Sequence, residues 1–367
     1  MKTVLVVIGT RPEAIKMAPV VLKLKTRPDQ FKVVVCTTAQ HRHILDQVLR
    51  VFEIVPDIDL DLMQDNQALA SLTTRALLSV TDAIKKTQPD VVLVQGDTTT
   101  AMVSALAAFY EQIPVGHVEA GLRTCNPLRP FPEEINRRLI SVLTRFHFAP
   151  TRRAAEALAS EGISPKDVCC TGNTVVDALE LILNRPGTLD IGIKSDGRRI
   201  ILVTAHRRES FGQPLEAVCQ ALRELAIRNP DVLIVYPVHP NPRVQEPVRR
   251  ILSGNENVSL LNPLKYESFV RLMKASYFIV TDSGGIQEEA PSLGKPVLVL
   301  RDETERPEAI EAGTSKLVGT RSETILAEAE KLLTDPAAYQ RMSAAVSPYG
   351  DGKAAERIAD VLERAFC

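Results

Sequence analysis

Short apolar runs alternate with longer amphipathic stretches along most of the chain. Lys2 to Ile8 is an unbroken apolar strand, which Gly9-Thr10-Arg11-Pro12-Glu13 turns into a helix through about Lys25. Pro12 suits the first helical position, and Glu13 suits the positive helix end. Further strands are expected at Lys32–Thr37, Pro89–Val94, Pro114–Val118 and Phe146–Ala149. Helices are expected over Ala39–Phe52, Gln67–Thr87, Asp97–Gln112, Glu133–Thr144 and Arg152–Glu161. A stretch from Asn184 to Gly197, punctuated by Pro186, Gly187, Gly192 and Gly197, reads as a linker.

The rhythm then restarts. Strands are expected at Arg199–Thr204, Val232–Tyr236, Val258–Leu260, Tyr277–Asp282 and Pro296–Leu300, with helices over Pro214–Arg228, Pro242–Leu252 and Tyr266–Ala275. A last helix spans Gly352–Phe366. Strand-then-helix repetition implies parallel sheets with right-handed crossovers, and ligands in such sheets sit beyond the carboxyl ends of strands. The fold class is therefore α/β with two Rossmann-like domains. We place the first at residues 1–185 and the second at 186–350, with a C-terminal helix at 351–367 that can pack back on the first.

Composition narrows the partners. A chain of 367 residues exceeds a typical single core, and a net charge of -1 offers no global field for nucleic acid or an acidic membrane. No apolar run is long enough to span a bilayer, and Met1-Lys2-Thr3-Val4 enters a strand with no signal-peptide pattern. The six cysteines, Cys36, Cys125, Cys169, Cys170, Cys219 and Cys367, form no Cys-x-x-Cys pair. We read them as reduced thiols of a cytoplasmic protein, mostly filling core space.

Candidate chemistry gathers at the expected strand ends. Ser283-Gly284-Gly285 between a strand and a helix can aim backbone N–H groups at a phosphate, with Glu289 one turn on for ribose hydroxyls and Arg306 beyond the next strand. Arg11 and Lys16 place two cations beside the first strand–helix junction. Asp97 reads as a helix-capping acid, Glu119 lies between small residues after a strand, and Glu133 and Glu134 open a helix begun by Pro132. Asp97, Glu119 and Glu133 are expected to converge, so that repulsion raises a pKa toward neutrality and yields an acid or base. His206, flanked by Arg207 and Arg208, can protonate or hold a departing phosphate oxygen, and His239 in a proline-stiffened loop is expected to reach the same cleft edge. No metal-ligand motif is visible.

Six ordered runs carry a resemblance over essentially the whole chain: Gly9-Thr10-Arg11-Pro12-Glu13, Gly96-Asp97-Thr98-Thr99, His117-Val118-Glu119-Ala120-Gly121-Leu122-Arg123, Pro132-Glu133-Glu134-Ile135-Asn136-Arg137, His206-Arg207-Arg208-Glu209 and Thr281-Asp282-Ser283-Gly284-Gly285-Ile286-Gln287-Glu288-Glu289. Together they resemble the bacterial non-hydrolysing UDP-N-acetylglucosamine 2-epimerases. The resemblance implies two domains facing across a cleft in a GT-B arrangement, a homodimer, and interconversion of UDP-GlcNAc with UDP-ManNAc for cell-envelope polysaccharide. It implies no cofactor, and a route by anti elimination of UDP to 2-acetamidoglucal followed by re-addition.

By the same resemblance Asp97, Glu119 and Glu133 are the acid/base set and His206 assists the diphosphate. Arg11, Lys16 and Arg137 contact the ligand. Ser283, Gly284, Gly285, Glu289 and Arg306 form the UDP site, with Phe269 beside the uracil. A second, activating UDP-GlcNAc site maps to Gln40, His43, Arg75, Glu134, Arg207 and His239, although the family often has Gln where this chain has His43. The residues alone leave other readings open: a GT-B glycosyltransferase using UDP-GlcNAc, a hydrolysing 2-epimerase releasing ManNAc and UDP, or a nucleotide-sugar sensor.

Overall fold

The structure, a computed structural model, describes the chain apart from residues 39–41, 63–67, 194–195, 208–209 and 367, and apart from the side chains of residues 42–44. Gln40, the His43 side chain, Arg208, Glu209, Cys367 and the expected helix starts at Ala39 and Gln67 lie outside the described residues. The chain divides into two compact units, Met1–Leu181 with Tyr349–Cys367, and Ile182–Pro348.

Among the described residues the first unit holds seven strands: β1 (Lys2–Ile8), β2 (Phe31–Thr37), β3 (Ile58–Asp59), β4 (Val91–Gln95), β5 (Val115–Val118), β6 (Phe146–Ala149) and β7 (Val168–Cys170). Their order is β3-β2-β1-β4-β5-β6-β7, all paired in parallel. Helices cover both faces of a parallel sheet, so its central strands are apolar without alternation. Val4 to Ile8 and Val91 to Val94 are accordingly almost wholly buried.

The second unit repeats the plan with β8 (Arg199–Thr204), β9 (Val232–Pro237), β10 (Val258–Leu261), β11 (Phe278–Thr281), β12 (Val297–Val299) and β13 (Ser315–Leu317). The order is β10-β9-β8-β11-β12-β13, again parallel. Tyr236, fully buried on β9, donates its hydroxyl to the Ala205 carbonyl at 2.7 Å, which satisfies the one polar atom the ring brings inside. Strand order reverses between β1 and β4 in the first unit and between β8 and β11 in the second. Those switch points open a crevice beyond the strand ends.

The expectations for Asp97 and for the cysteines are corrected. Thr98, not Asp97, caps the helix Thr99–Tyr110, its Oγ1 accepting the Ala101 N–H at 3.1 Å. The helix starts two residues later than the sequence suggests, which frees the Asp97 carboxylate. Ser283 is the N-cap of the helix Gly284–Ser292 but makes no side-chain cap bond. Of the described cysteines, Cys36 and Cys219 fill core space, whereas Cys125 and Cys170 are exposed and Cys169 is half-buried, because the last two lie on the edge strand β7.

The C-terminal helix Ala354–Phe366 belongs to the first unit. Asp177 accepts the backbone N–H groups of Ala354 and Ala355 at 3.2 and 2.8 Å and so caps it from outside. Lys23 and Arg27 of the helix Arg11–Lys25 and the turn after it meet Glu356, Asp360 and Glu363 in a ladder of ion pairs.

Candidate active site

In the first unit the turns after β1, β4 and β5 lie at three adjacent strand ends. Gly9 is required by close approach: a Cβ there would fall 2.5 Å from Thr100 Oγ1. Glu13, 1% exposed, reaches back so that Oε2 accepts the N–H groups of Gly9, at 2.9 Å, and of Thr10. Its Oε1 accepts the Thr98 hydroxyl at 2.6 Å. One buried carboxyl thus ties the β1 turn to the β4 turn. Burial outweighs these hydrogen bonds and pushes Glu13 up to about 7.

Glu119 follows β5 with φ +68°, a left-handed conformation that is uncommon outside glycine and costs of order 1–3 kcal/mol. It is 7% exposed. Lys16 Nζ donates to both of its oxygens at 2.6 Å, and the Gln95 amide donates to Oε2. Asp97 Oδ2 accepts from Arg137 Nη2 at 2.5 Å, while its backbone carbonyl accepts from Asn136 at 2.9 Å. The helix Glu133–Leu143 therefore fixes the β4 turn from above.

Glu133 is half-buried, and its Oε2 is buried with no hydrogen-bond partner among the described residues. Its neighbour Glu134 has the opposite environment. It is wholly buried, accepts the N–H groups of Thr124 and Cys125 at 3.0 and 3.2 Å, and pairs with Arg137 and Arg138. Arg11 is half-buried, and Arg75 donates to the Leu62 carbonyl at 3.1 Å. Beneath the acids, His117 donates Nε2–H to the Gly96 carbonyl at 2.7 Å. Burial holds His117 down to about 3 and His147 on the neighbouring strand down to about 4, so both are neutral.

In the second unit the switch point is cationic. A Cβ at Gly284 would lie 3.5 Å from Arg207 Nη2 and 3.6 Å from Arg306 Cζ, so two guanidinium groups flank the first residue of the helix Gly284–Ser292. Its first-turn N–H groups have no intrahelical acceptor and present positive charge on the same spot. Glu288, 1% exposed, fixes Arg306 through a 2.5 Å bond to Nε. Gly285 is exposed beside it, and Glu289 is buried one turn on.

Asp282, wholly buried after β11, accepts the N–H groups of His206 and Arg207 at 2.6 and 2.7 Å. The His206 ring stacks on that of His239 with centroids 5.3 Å apart. Burial first, and then the charge of His206, lower His239, while Asp282 opposes them. Phe269 is half-buried on the helix Tyr266–Ala275.

The structure thus joins Lys16 with Glu119, Asp97 with Arg137, Arg207 with Arg306 across Gly284, and His206 with His239. Sequence reasoning missed Gln95, Asp282 and Glu288 as partners and read Glu13 only as a dipole residue. Burial next to a strand end was their one available signal, and it is visible only after folding.

Residues 22–363 match the family model described as UDP-N-acetylglucosamine 2-epimerase. A Campylobacter jejuni UDP-N-acetylglucosamine 2-epimerase is 52% identical over 98% of this chain and 97% of its own length. The crystal structure of UDP-GlcNAc 2-epimerase from Neisseria meningitidis bound to UDP-GlcNAc superposes with a TM-score of 0.90 at 49% identity, covering 99% of this chain and all of that one. A Staphylococcus aureus MnaA–UDP co-structure gives a TM-score of 0.90 at 46% identity, with 100% and 97% covered. A match sustained end to end in sequence and in backbone leaves one assignment: this chain belongs to the UDP-N-acetylglucosamine 2-epimerase family.

Proposed function

We propose that this chain interconverts UDP-GlcNAc and UDP-ManNAc by anti elimination of UDP and its re-addition, without releasing free sugar. The hexose C2 proton adjoins no carbonyl and is not acidic. Breaking the C1–O bond makes C1 cation-like and the C2 proton removable. The electron pair of C1–O leaves with UDP, the C2–H pair becomes the C1–C2 double bond, and a base takes the proton. The product is 2-acetamidoglucal, and re-addition with C2 protonated from the other face inverts C2. Such a route needs a site that stabilises diphosphate and a carboxylate at C2.

The observation that carries this reading is the grouping of three carboxylates at the first switch point and of two arginines about a helix N-terminus at the second. Asp97, Glu119 and Glu133 stand at the first, with one Glu133 oxygen left without a partner among the described residues. Arg207, Arg306 and the helix terminus at Gly284 stand at the second. In this reading the carboxylates are the acid/base set, with Arg11, Lys16 and Arg137 around them. His206 meets the departing diphosphate, Ser283, Gly284, Gly285 and Arg306 hold it, Glu289 takes the ribose and Phe269 lies by the uracil. The relatives that hold UDP-GlcNAc or UDP support the ligand class.

Two regulatory features belong to the same reading. Arg75, Arg207 and His239, with Gln40 and His43, take a second UDP-GlcNAc, and Glu134 acts there through the Thr124–Cys125 turn it holds. The enzyme works as a homodimer, which sedimentation tests directly.

NMR of the protein incubated with UDP-GlcNAc tests the reaction. The expected result is UDP-ManNAc at constant total UDP-sugar. Accumulation of free ManNAc with UDP, or turnover only when a sugar acceptor is added, contradicts it.

A further inference from the structure

Asp282 stands at the carboxyl end of β11, next to Thr281, whose hydroxyl meets that of Thr204 on β8 at 2.6 Å. Its backbone N–H donates to the Thr204 carbonyl at 3.1 Å, so its position is fixed by the sheet. The side chain is 0% exposed. One oxygen, Oδ2, does all of the structural bonding, accepting two successive N–H groups from His206 and Arg207. The other, Oδ1, is buried without a hydrogen bond and lies 3.4 Å from Nδ1 of His206. A turn-capping aspartate needs one oxygen. A buried oxygen left over and aimed at an imidazole nitrogen needs a further explanation.

We propose that Asp282 is a positioning residue that fixes the tautomer of His206, directing its Nδ1–H inward and its Nε2 toward the ligand. An ionised carboxylate oxygen only accepts, so the nitrogen facing it carries the proton. Nε2 is then the atom left to accept or carry a second proton. Among the described residues, the other groups near His206 do not compete for Nδ1. His239 stacks ring on ring, nearly parallel at 9°, and its own Nδ1 accepts the Asn241 N–H at 3.2 Å. The Arg207 guanidinium is turned to Gly284. Approach of a diphosphate would shorten a long Nδ1–H···Oδ1 contact, as catalytic hydrogen bonds tighten in complexes. The part played in turnover rests on the function proposed above; the tautomer does not.

Asp282→Asn separates these roles. Its amide oxygen must stay on the two backbone N–H groups, so its NH₂ takes the place of Oδ1 and donates to Nδ1. The ring proton moves to Nε2. Long-range proton–nitrogen correlation spectra of the ¹⁵N-histidine-labelled full chain, at alkaline pH where imidazoles are neutral, read this directly. The His206 signal is identified by its loss in His206→Gln.

The expected result is the Nδ1–H tautomer in the wild type and Nε2–H in Asp282→Asn, with circular dichroism unchanged. The same tautomer in both proteins, or Nε2–H in the wild type, overturns the proposal. In turnover, Asp282→Asn should lower kcat roughly 10- to 100-fold, the range for losing the outer partner of an oriented imidazole, with KM little moved. In a His206→Gln background the same change should cost less than about twofold. An equal loss in both backgrounds overturns action through His206. Full activity of His206→Gln alone, beside the expected tautomers, removes His206 from the diphosphate and leaves its positioning by Asp282 intact.

Discussion

Lys16 holds both oxygens of Glu119, with Nζ 2.6 Å from each. The two residues are 103 positions apart in sequence and come together because β1 and β5 flank β4. Lys16, which the resemblance assigns to the ligand, is also the counter-charge of a candidate catalytic acid. Their side chains are 13% and 5% exposed, so the pair is too buried to be discounted as a surface bridge.

Removing one member of a buried pair strands the other charge, at a cost of roughly 3–5 kcal/mol. Lys16→Met should therefore destabilise the protein by about that much and abolish turnover. Adding Glu119→Gln should recover most of the stability and none of the activity. Denaturant unfolding and a turnover assay on the three variants check this. An unchanged midpoint with only a raised KM in Lys16→Met would leave Lys16 a ligand contact and deny it the part of counter-charge.

Glu13 makes a pH-dependent prediction. Its folded value is about 7, above the ordinary 4.5. Folding thus favours the protonated form: the contribution to stability is full below about 4.5 and is lost as pH rises through about 7. Glu13→Gln, which can accept the same N–H groups and donate to Thr98, removes the titration. Relative to wild type it should gain on the order of 2–3 kcal/mol between pH 5 and pH 8. Unfolding midpoints measured across that range decide it. Parallel pH profiles for the two proteins would mean that the carboxyl does not titrate there.

Much of the fold was legible because central parallel strands are buried on both faces. β1, β4, β8 and β11 stand out as unbroken apolar runs, and each strand–turn–helix junction follows one. The short strands β3, β7 and β13, two or three residues long, give periodicity nothing to act on. Site residues on the turns could be picked out singly, since Gly9, Asp97, Glu119 and Ser283 all follow apolar runs. Their partners could not. That Gln95 and Lys16 serve Glu119, or that Asp282 serves His206, depends on which strands are neighbours. Thr98 outcompeted Asp97 as the cap for a similarly non-local reason: its hydroxyl bridges Glu13 and Ala101 at once.

Gly284 tests the cationic switch point. A methyl group there would meet the two guanidinium groups at ordinary contact distance, 3.5–3.7 Å, so the apoprotein should keep its stability within about 1 kcal/mol. The same methyl would stand where a phosphate approaches the backbone. Gly284→Ala should weaken UDP binding tenfold or more, about 1.4 kcal/mol, by calorimetry. Unchanged UDP affinity would place the diphosphate elsewhere.

Asp177 tests the C-terminal helix. Its carboxylate supplies the cap that Ala354 and Ala355 lack within their own helix. Asp177→Ala should cost about 1–2 kcal/mol and accelerate amide exchange over residues 354–366 before the rest of the first unit. Uniform acceleration, or none, would deny the cap this role.

In the proposed reaction UDP departs and a carboxylate takes the hydrogen from the neighbouring carbon. Running the reaction from UDP-GlcNAc in deuterated water and reading C2 by NMR tests it most directly. Deuterium is expected at C2 of UDP-ManNAc and, at equilibrium, of recovered UDP-GlcNAc. UDP-ManNAc that forms with its original C2 proton retained would contradict it.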